Sequence, residues 1–276
     1  MPGTTLSAAF RPRGSRRPPG WSTSRATSMH SAAVSEARAL AARPVRVVEG
    51  QHVLATRRLV DSREEQELLE SLLERVKPPL ADDVQHLHYL LAAPFRYPPL
   101  RHGTRFGRPT ERGILYASER VATAMAEVAY YRFVFREHTS ARLPPTSVEL
   151  TSFRVALETP RALDLLRPPY AERADEISSP TSWRASQEIG AAARRAGIEV
   201  LRYRSARDPR GGANLAVLAP RAIADPQPRR LENWQCVTDD VRVEIVRKDF
   251  RRDRVFAFPR ETFLVDGTLP IPGEAR

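Results

Sequence analysis

Cysteine occurs once in the 276 residues, at Cys236, and lysine only twice, at Lys77 and Lys248. A lone thiol can close no intramolecular disulfide and lacks the paired spacing of a structural zinc site, which fits a reducing compartment. With so little lysine, Schiff-base chemistry is poorly served, and cation chemistry falls to arginine. No run approaches the roughly 18 apolar residues of a membrane span, and the N-terminal stretch has no apolar core of the kind a secretory signal carries. Several catalytic patterns are missing as well: Gly-x-Ser-x-Gly, the phosphate loop ending in Gly-Lys-Ser/Thr, and His-Glu-x-x-His. Gly211-Gly212 is too short for a dinucleotide fingerprint.

What the chain does have in excess is positive charge, a net +11. Its location decides its meaning. Residues 1 to 46 carry eight arginines against one acid, Glu36, or +7, leaving +4 for the other 230 residues. Steering of phosphate polymers needs charge clustered on a folded face. This excess sits in a Pro/Ser/Gly/Arg-rich segment without apolar pattern, so residues 1–44 are expected to be a disordered basic extension.

Order is expected from Val45. Arg46-Val47-Val48 reads as a strand that His52–Val60 could continue. Asp61 with Glu64 suggests a helix N-terminus, and Leu68, Leu69, Leu72, Leu73 and Val76 recur at helical spacing, predicting a packing helix over 62–76 stopped by Pro78-Pro79. His86 and His88 would share a face if they lay on a strand, a weak seed for a metal site. Pro94, Pro98 and Pro99 predict a rigid loop around Phe95-Arg96-Tyr97. Further on, Ile114–Tyr116 predicts a strand, Ser118 an N-cap, and Val121, Ala124, Met125, Val128 and Ala129 one face of a helix. Glu127 falls off that face, either into solvent or into a cleft beside the helix. Strands are expected over 148–158, 162–166, 198–203 and 214–218, a helix over 183–196 capped by Gly197, an outer strand over 241–245, and a tail over 259–276. Ser205 and Arg207 would then sit in a strand-loop-strand unit.

The polar residues beside apolar or Gly-rich sequence are arginine, tyrosine, glutamate and serine. Arginine suits bidentate capture of pyrophosphate. A tyrosine face stacks a flat heterocycle, one carboxylate can stabilise an oxocarbenium-like ribose, and a serine hydroxyl can orient a hydroxyl or amide. Such roles are compatible with cleavage of an N-glycosidic bond in a pyrophosphate-containing nucleotide, and any large domain contains such residues somewhere.

Three ordered patches sharpen this. They are Phe95–Leu100 with Gly103-Thr104-Arg105-Phe106-Gly107, then Gly113–Ser118 running to Thr123–Val128, then Tyr203–Arg207 with Gly211-Gly212 and Asn214-Leu215. In order and spacing they resemble the RES domain family over roughly 94–220. That resemblance implies an α+β fold with an ADP-ribosyltransferase-like mixed, split β-sheet core and flanking helices, the domain spanning 94–258 and following an added segment at 45–93. It implies a toxin-like bacterial enzyme of the cytoplasm that degrades NAD, its substrate, with water or phosphate as acceptor. No metal or resident cofactor is expected. It also implies restraint by a helix-turn-helix antitoxin of Xre type, and leaves a homo-oligomer open. Carried over by position, Glu127, Arg105 and Ser205 would be catalytic. Arg96, Tyr97, Tyr116 and Arg207 would bind NAD. ADP-ribosyl transfer to a macromolecule suits the same residues, and a basic nucleic-acid-binding protein is the non-enzymatic alternative.

Overall fold

The computed structural model describes residues 33–50, 60–97, 101–141, 143–247 and 254–272. Ten strands form one mixed sheet in the order β1-β5-β6-β7-β3-β2-β4-β8-β9-β10. They are β1 (Arg38–Ala42), β2 (Val45–Glu49), β3 (Leu115–Ser118), β4 (Thr146–Arg154), β5 (Leu157–Asp164), β6 (Val200–Arg204), β7 (Ala213–Val217), β8 (Arg229–Thr238), β9 (Arg242–Arg247) and β10 (Arg254–Pro259). The helices of eight residues or more are α1 (Arg63–Val76), α2 (Tyr89–Arg96), α3 (Val121–Glu137) and α4 (Arg184–Arg195). The expected α+β class with a mixed sheet is what is found. All pairs are antiparallel except β5 with β6, whose parallel pairing is made possible by the crossover through α4.

Apolar side chains divide into three clusters. One joins α2 (Leu90, Leu91, Phe95) to Leu115, Phe153, Val200 and Leu215. A second joins α4 (Ile189, Ala193) to Phe106, Leu201 and Tyr203. The third joins α3 (Met125, Ala129, Tyr130, Phe133) to Leu150, Trp234, Ile245 and Phe263. Each fully buried Leu, Val, Ile or Phe contributes about 1.5–3 kcal/mol, enough to override local preferences. Pro94 shows it, lying inside α2 where the proline run predicts a loop, because Leu90, Leu91 and Phe95 are buried on that helix.

Other expectations are corrected in the same way. Arg38–Ala42 is a strand paired antiparallel with β5, so part of the supposed disordered extension belongs to the sheet. His86 and His88 lie in a turn ahead of α2, His88 Nδ1 accepting from Leu90 N, and no group of three metal-ligating side chains occurs among the described residues. Helix α1 is capped by Ser62, one residue later than expected, and buries none of its residues. Its i,i+4 pair Arg63 with Glu67 lies within the helix and is exposed, whereas Arg96 of α2 reaches across to Glu74. Residues 260–272 are no tail, since Phe263 and Leu269 are buried against α3 and β9. Gly197 does cap α4, at φ +68, as predicted. The suggested continuation at 52–60 falls, apart from Val60, outside the described residues.

One joint in this sheet matters most. Strands β2 and β3 pair at a single position, Val45 with Ser118, and separate beyond it. Helix α3 lies against this split, touching β2 and β3 on one side and β9 and β10 on the other.

Candidate active site

The split opens into a cleft of about 830 Å3 lined by β2 (Arg46, Val47, Glu49), β3 (Tyr116, Ala117, Ser118), α3 (Ala124, Glu127, Val128, Tyr131, Arg132, Phe135), and Thr104, Arg105, Trp183, Tyr203, Arg207 and Asn214. That volume lies in the range of sites for cofactor-sized ligands. Glu127 stands in the wall. The sequence left it between solvent and cleft, and the fold resolves this because residues 125, 129, 130 and 133 are taken by the α3 core.

The carboxylate is held from two sides. Ser205 Oγ donates to Oε1 at 2.6 Å, and Asn214 Nδ2 donates to the same oxygen at 2.7 Å. No hydrogen bond reaches Oε2 among the described residues. Ser205 is itself 4 % exposed, and its oxygen accepts from the backbone N–H groups of Arg207 (3.1 Å) and Asp208 (3.0 Å). A hydroxyl has one proton and two lone pairs, so this one is fully used. Ser205 therefore braces Glu127 and is absent from the cleft lining. The loop that carries it is tied to α3 by Thr123, whose Oγ donates to Asp208 at 2.7 Å. Gly212 makes room for that bond, as a Cβ there would lie 2.1 Å from the Thr123 oxygen.

Arg105 sits on a turn that α4 grips. Gln187 Nε2 donates to the carbonyls of His102 and Thr104, and Gly190 lets Phe106 approach so closely that a Cβ would stand 2.1 Å from its carbonyl oxygen. Tyr116, on β3, completes the grip: its hydroxyl donates to Thr104 and accepts from Phe106 N. Burial pushes the Tyr116 phenol above its ordinary range, against the opposing pull of those two hydrogen bonds and the Arg105 charge. Arg105 spends Nη1 on the carbonyls of Ile177 and Ser179. Arg207 reaches the same segment: it stacks on Tyr130, 3.5 Å from the ring centroid, with Nη2 donating to the Pro180 carbonyl. Its burial lowers the guanidinium, an effect that the neighbouring Tyr130 and Glu127 oppose.

Two further arginines line the cleft that the sequence did not single out as site residues. Arg46 Nη1 donates at 2.7 Å to the Tyr116 carbonyl, bridging the split where the β-ladder stops, while its Nε is buried without a partner. Burial lowers this guanidinium to about 10. Arg132 pairs with Glu49 at 3.2 Å, and its Nε is likewise buried and unpartnered. The available signal for Arg46 was an arginine inside the apolar strand Val-Arg-Val-Val. Phe135 and Tyr131 at that end are 56 % and 54 % exposed, leaving aromatic surface in the lining.

Of the residues predicted from sequence, Glu127, Arg105, Tyr116 and Arg207 converge on the cleft with Ser205 directly behind. Arg96 and Tyr97 do not join them. Arg96 ends α2 and is engaged by Glu74 and the Pro78 carbonyl, and Tyr97 follows it, partly exposed. The stretch expected to be a rigid loop around Phe95-Arg96-Tyr97 is instead, up to Arg96, the end of a helix whose Phe95 is buried in another cluster.

Comparison with known proteins gives one family. A family model described as "RES domain" matches residues 80–239. No curated protein matches the chain. Among solved structures, the "Crystal structure of the M.tuberculosis MbcT-MbcA toxin-antitoxin complex" superposes at a TM-score of 0.45 and 16 % sequence identity, covering 75 % of this chain and 91 % of that one.

Proposed function

The chain belongs to the RES domain family, and from that premise we propose that it cleaves the nicotinamide–ribose bond of NAD. The observation that carries the reading is Glu127, fixed through Oε1 and without a hydrogen bond at Oε2, in a cleft that four guanidiniums line. Oxidised nicotinamide is a cationic leaving group. When the C–N bond breaks, its electron pair stays with the ring and neutral nicotinamide departs, so no general acid is required. Positive charge develops on the ribose instead. A single carboxylate opposite that carbon stabilises it and can direct the acceptor.

Arg105, Arg207 and Arg46 would hold the pyrophosphate. Each retains guanidinium donors after its bonds to carbonyl oxygens. Tyr116 keeps the Arg105 turn in place. With water as acceptor the products are nicotinamide, ADP-ribose and a proton. With phosphate, its oxygen forms the new bond and ADP-ribose 1″-phosphate results. In the cell such depletion is toxic, and family membership supports a toxin neutralised by a helix-turn-helix antitoxin of Xre type. No described helix is long and apolar enough to cross a membrane, which is compatible with a cytoplasmic place of action. Incubating the protein with NAD and separating nicotinamide, ADP-ribose and its phosphate by chromatography tests the reaction and names the acceptor. Radiolabel from adenine-labelled NAD on protein or RNA would instead mark it as a transferase.

A further inference from the structure

Glu127 has three rotatable side-chain bonds and lies on a helix flank, a combination that ordinarily leaves a carboxylate mobile. Its fixed orientation comes from elsewhere. Asn214 Nδ2 reaches Oε1 at 2.7 Å, and Asn214 Oδ1 accepts from Ser118 Oγ at 2.6 Å. Both residues are 3 % exposed, so water competes little for either bond. They meet because β3 and β7 pair in the register that sets Ser118 opposite Asn214. A slip of one residue would turn the amide to the other face.

We infer that Asn214 is a positioning residue that determines which oxygen of Glu127 meets the substrate, with Ser118 setting the direction of its amide. This inference rests on the NAD reading above. The amide has two ends, and only its NH2 can approach a carboxylate without repulsion. The Ser118 hydroxyl hydrogen-bonds the carbonyl end and so stabilises the orientation in which NH2 faces Glu127. Ser205 approaches the same Oε1, so two donors from separate elements fix the carboxylate plane at one atom. Oε2 is then presented to the ribose carbon in one orientation, the preorganisation that a site stabilising transient charge requires. Asn214 borders the cleft, yet its carbonyl oxygen and one amide proton are committed to protein partners.

Steady-state NAD cleavage by Asn214→Asp, Ser118→Ala and Ser118→Thr tests this, with circular dichroism and melting temperature confirming the fold. Asn214→Asp keeps the shape and replaces the donating amide with a carboxylate that repels Glu127. It should lower kcat about 10- to 100-fold, the span of a hydrogen bond to a charged group, with KM within about twofold of wild type. Ser118→Ala should lower kcat by less, about 3- to 10-fold, and Ser118→Thr, which keeps the hydroxyl, should restore it. If Asn214→Asp does not fold, the Ser118 pair decides alone. Unchanged kcat in folded Asn214→Asp, a change confined to KM, or equal activity of the two Ser118 variants overturns the positioning role while leaving the NAD reading intact. A wild-type protein that releases no nicotinamide overturns both.

Discussion

Ser205 and Glu127 are 78 positions apart in sequence and 2.6 Å apart in space, the hydroxyl of one donating to the carboxylate of the other. The bond joins the β6–β7 loop to α3 behind the cleft wall. It assigns the serine to the carboxylate rather than to the ligand. Ser205→Ala should therefore lower kcat about 10-fold or more while KM for NAD moves little, because the substrate loses no partner. Steady-state kinetics checks the split, and a selective rise in KM would place the hydroxyl on the substrate after all.

Arg46 carries a charge whose solvation is lost without full repayment, as its lowered guanidinium and orphaned Nε indicate. At neutral pH the folded state bears that cost, and an anionic ligand offsets it. Arg46→Met should raise the melting temperature of the free protein by roughly 2–4 °C per kcal/mol relieved. It should also weaken NAD binding about tenfold or more. Calorimetry of the two proteins measures both effects, and a variant that is less stable and binds normally would refute the assignment.

Tyr116 secures the turn that presents Arg105. Tyr116→Phe leaves the Phe106 N–H without its partner, a loss of about 1–3 kcal/mol, and should raise KM through Arg105. The folded state holds the phenolic proton more tightly than the unfolded chain does. Above about pH 10, where the unfolded chain releases that proton, wild-type stability falls with rising pH. Urea titrations between pH 8 and 11 should show a shallower decline for the phenylalanine variant.

Gly190 is where α4 meets the same turn. Alanine there would drive its methyl into the Phe106 carbonyl. Gly190→Ala should cost about 1–3 kcal/mol and reduce activity through displacement of Arg105, measured by denaturation and by NAD turnover together. By contrast, Arg96→Ala breaks contacts with a half-exposed glutamate on α1 and with the Pro78 carbonyl and should leave turnover unchanged, with about 1–2 kcal/mol lost.

Much of this architecture was legible in the residues. The Leu stripe and proline stop announced α1, Gly197 marked the end of α4, and the β-prone runs at 198–203 and 214–218 located the strand pair around Ser205. Position along the helix showed Glu127 to be off the apolar face. What escaped was set by long-range pairing. Arg46 reads as one more residue of a strand until β2 and β3 separate beside it. Asn214 and Ser118 gain a role only through strand register. Arg96 and Tyr97 were carried over from the family resemblance, whereas burial of Phe95 and its neighbours made the stretch up to Arg96 a helix packed in another cluster.

The central claim is that Glu127 stabilises the ribosyl cation as nicotinamide leaves. Nicotinamide release from NAD, followed for wild type and Glu127→Gln after both are shown to fold and to bind NAD, tests it most directly. The account predicts release by the wild type and a loss of about 100-fold or more in kcat in the variant, with binding retained. Undiminished release by Glu127→Gln would contradict it.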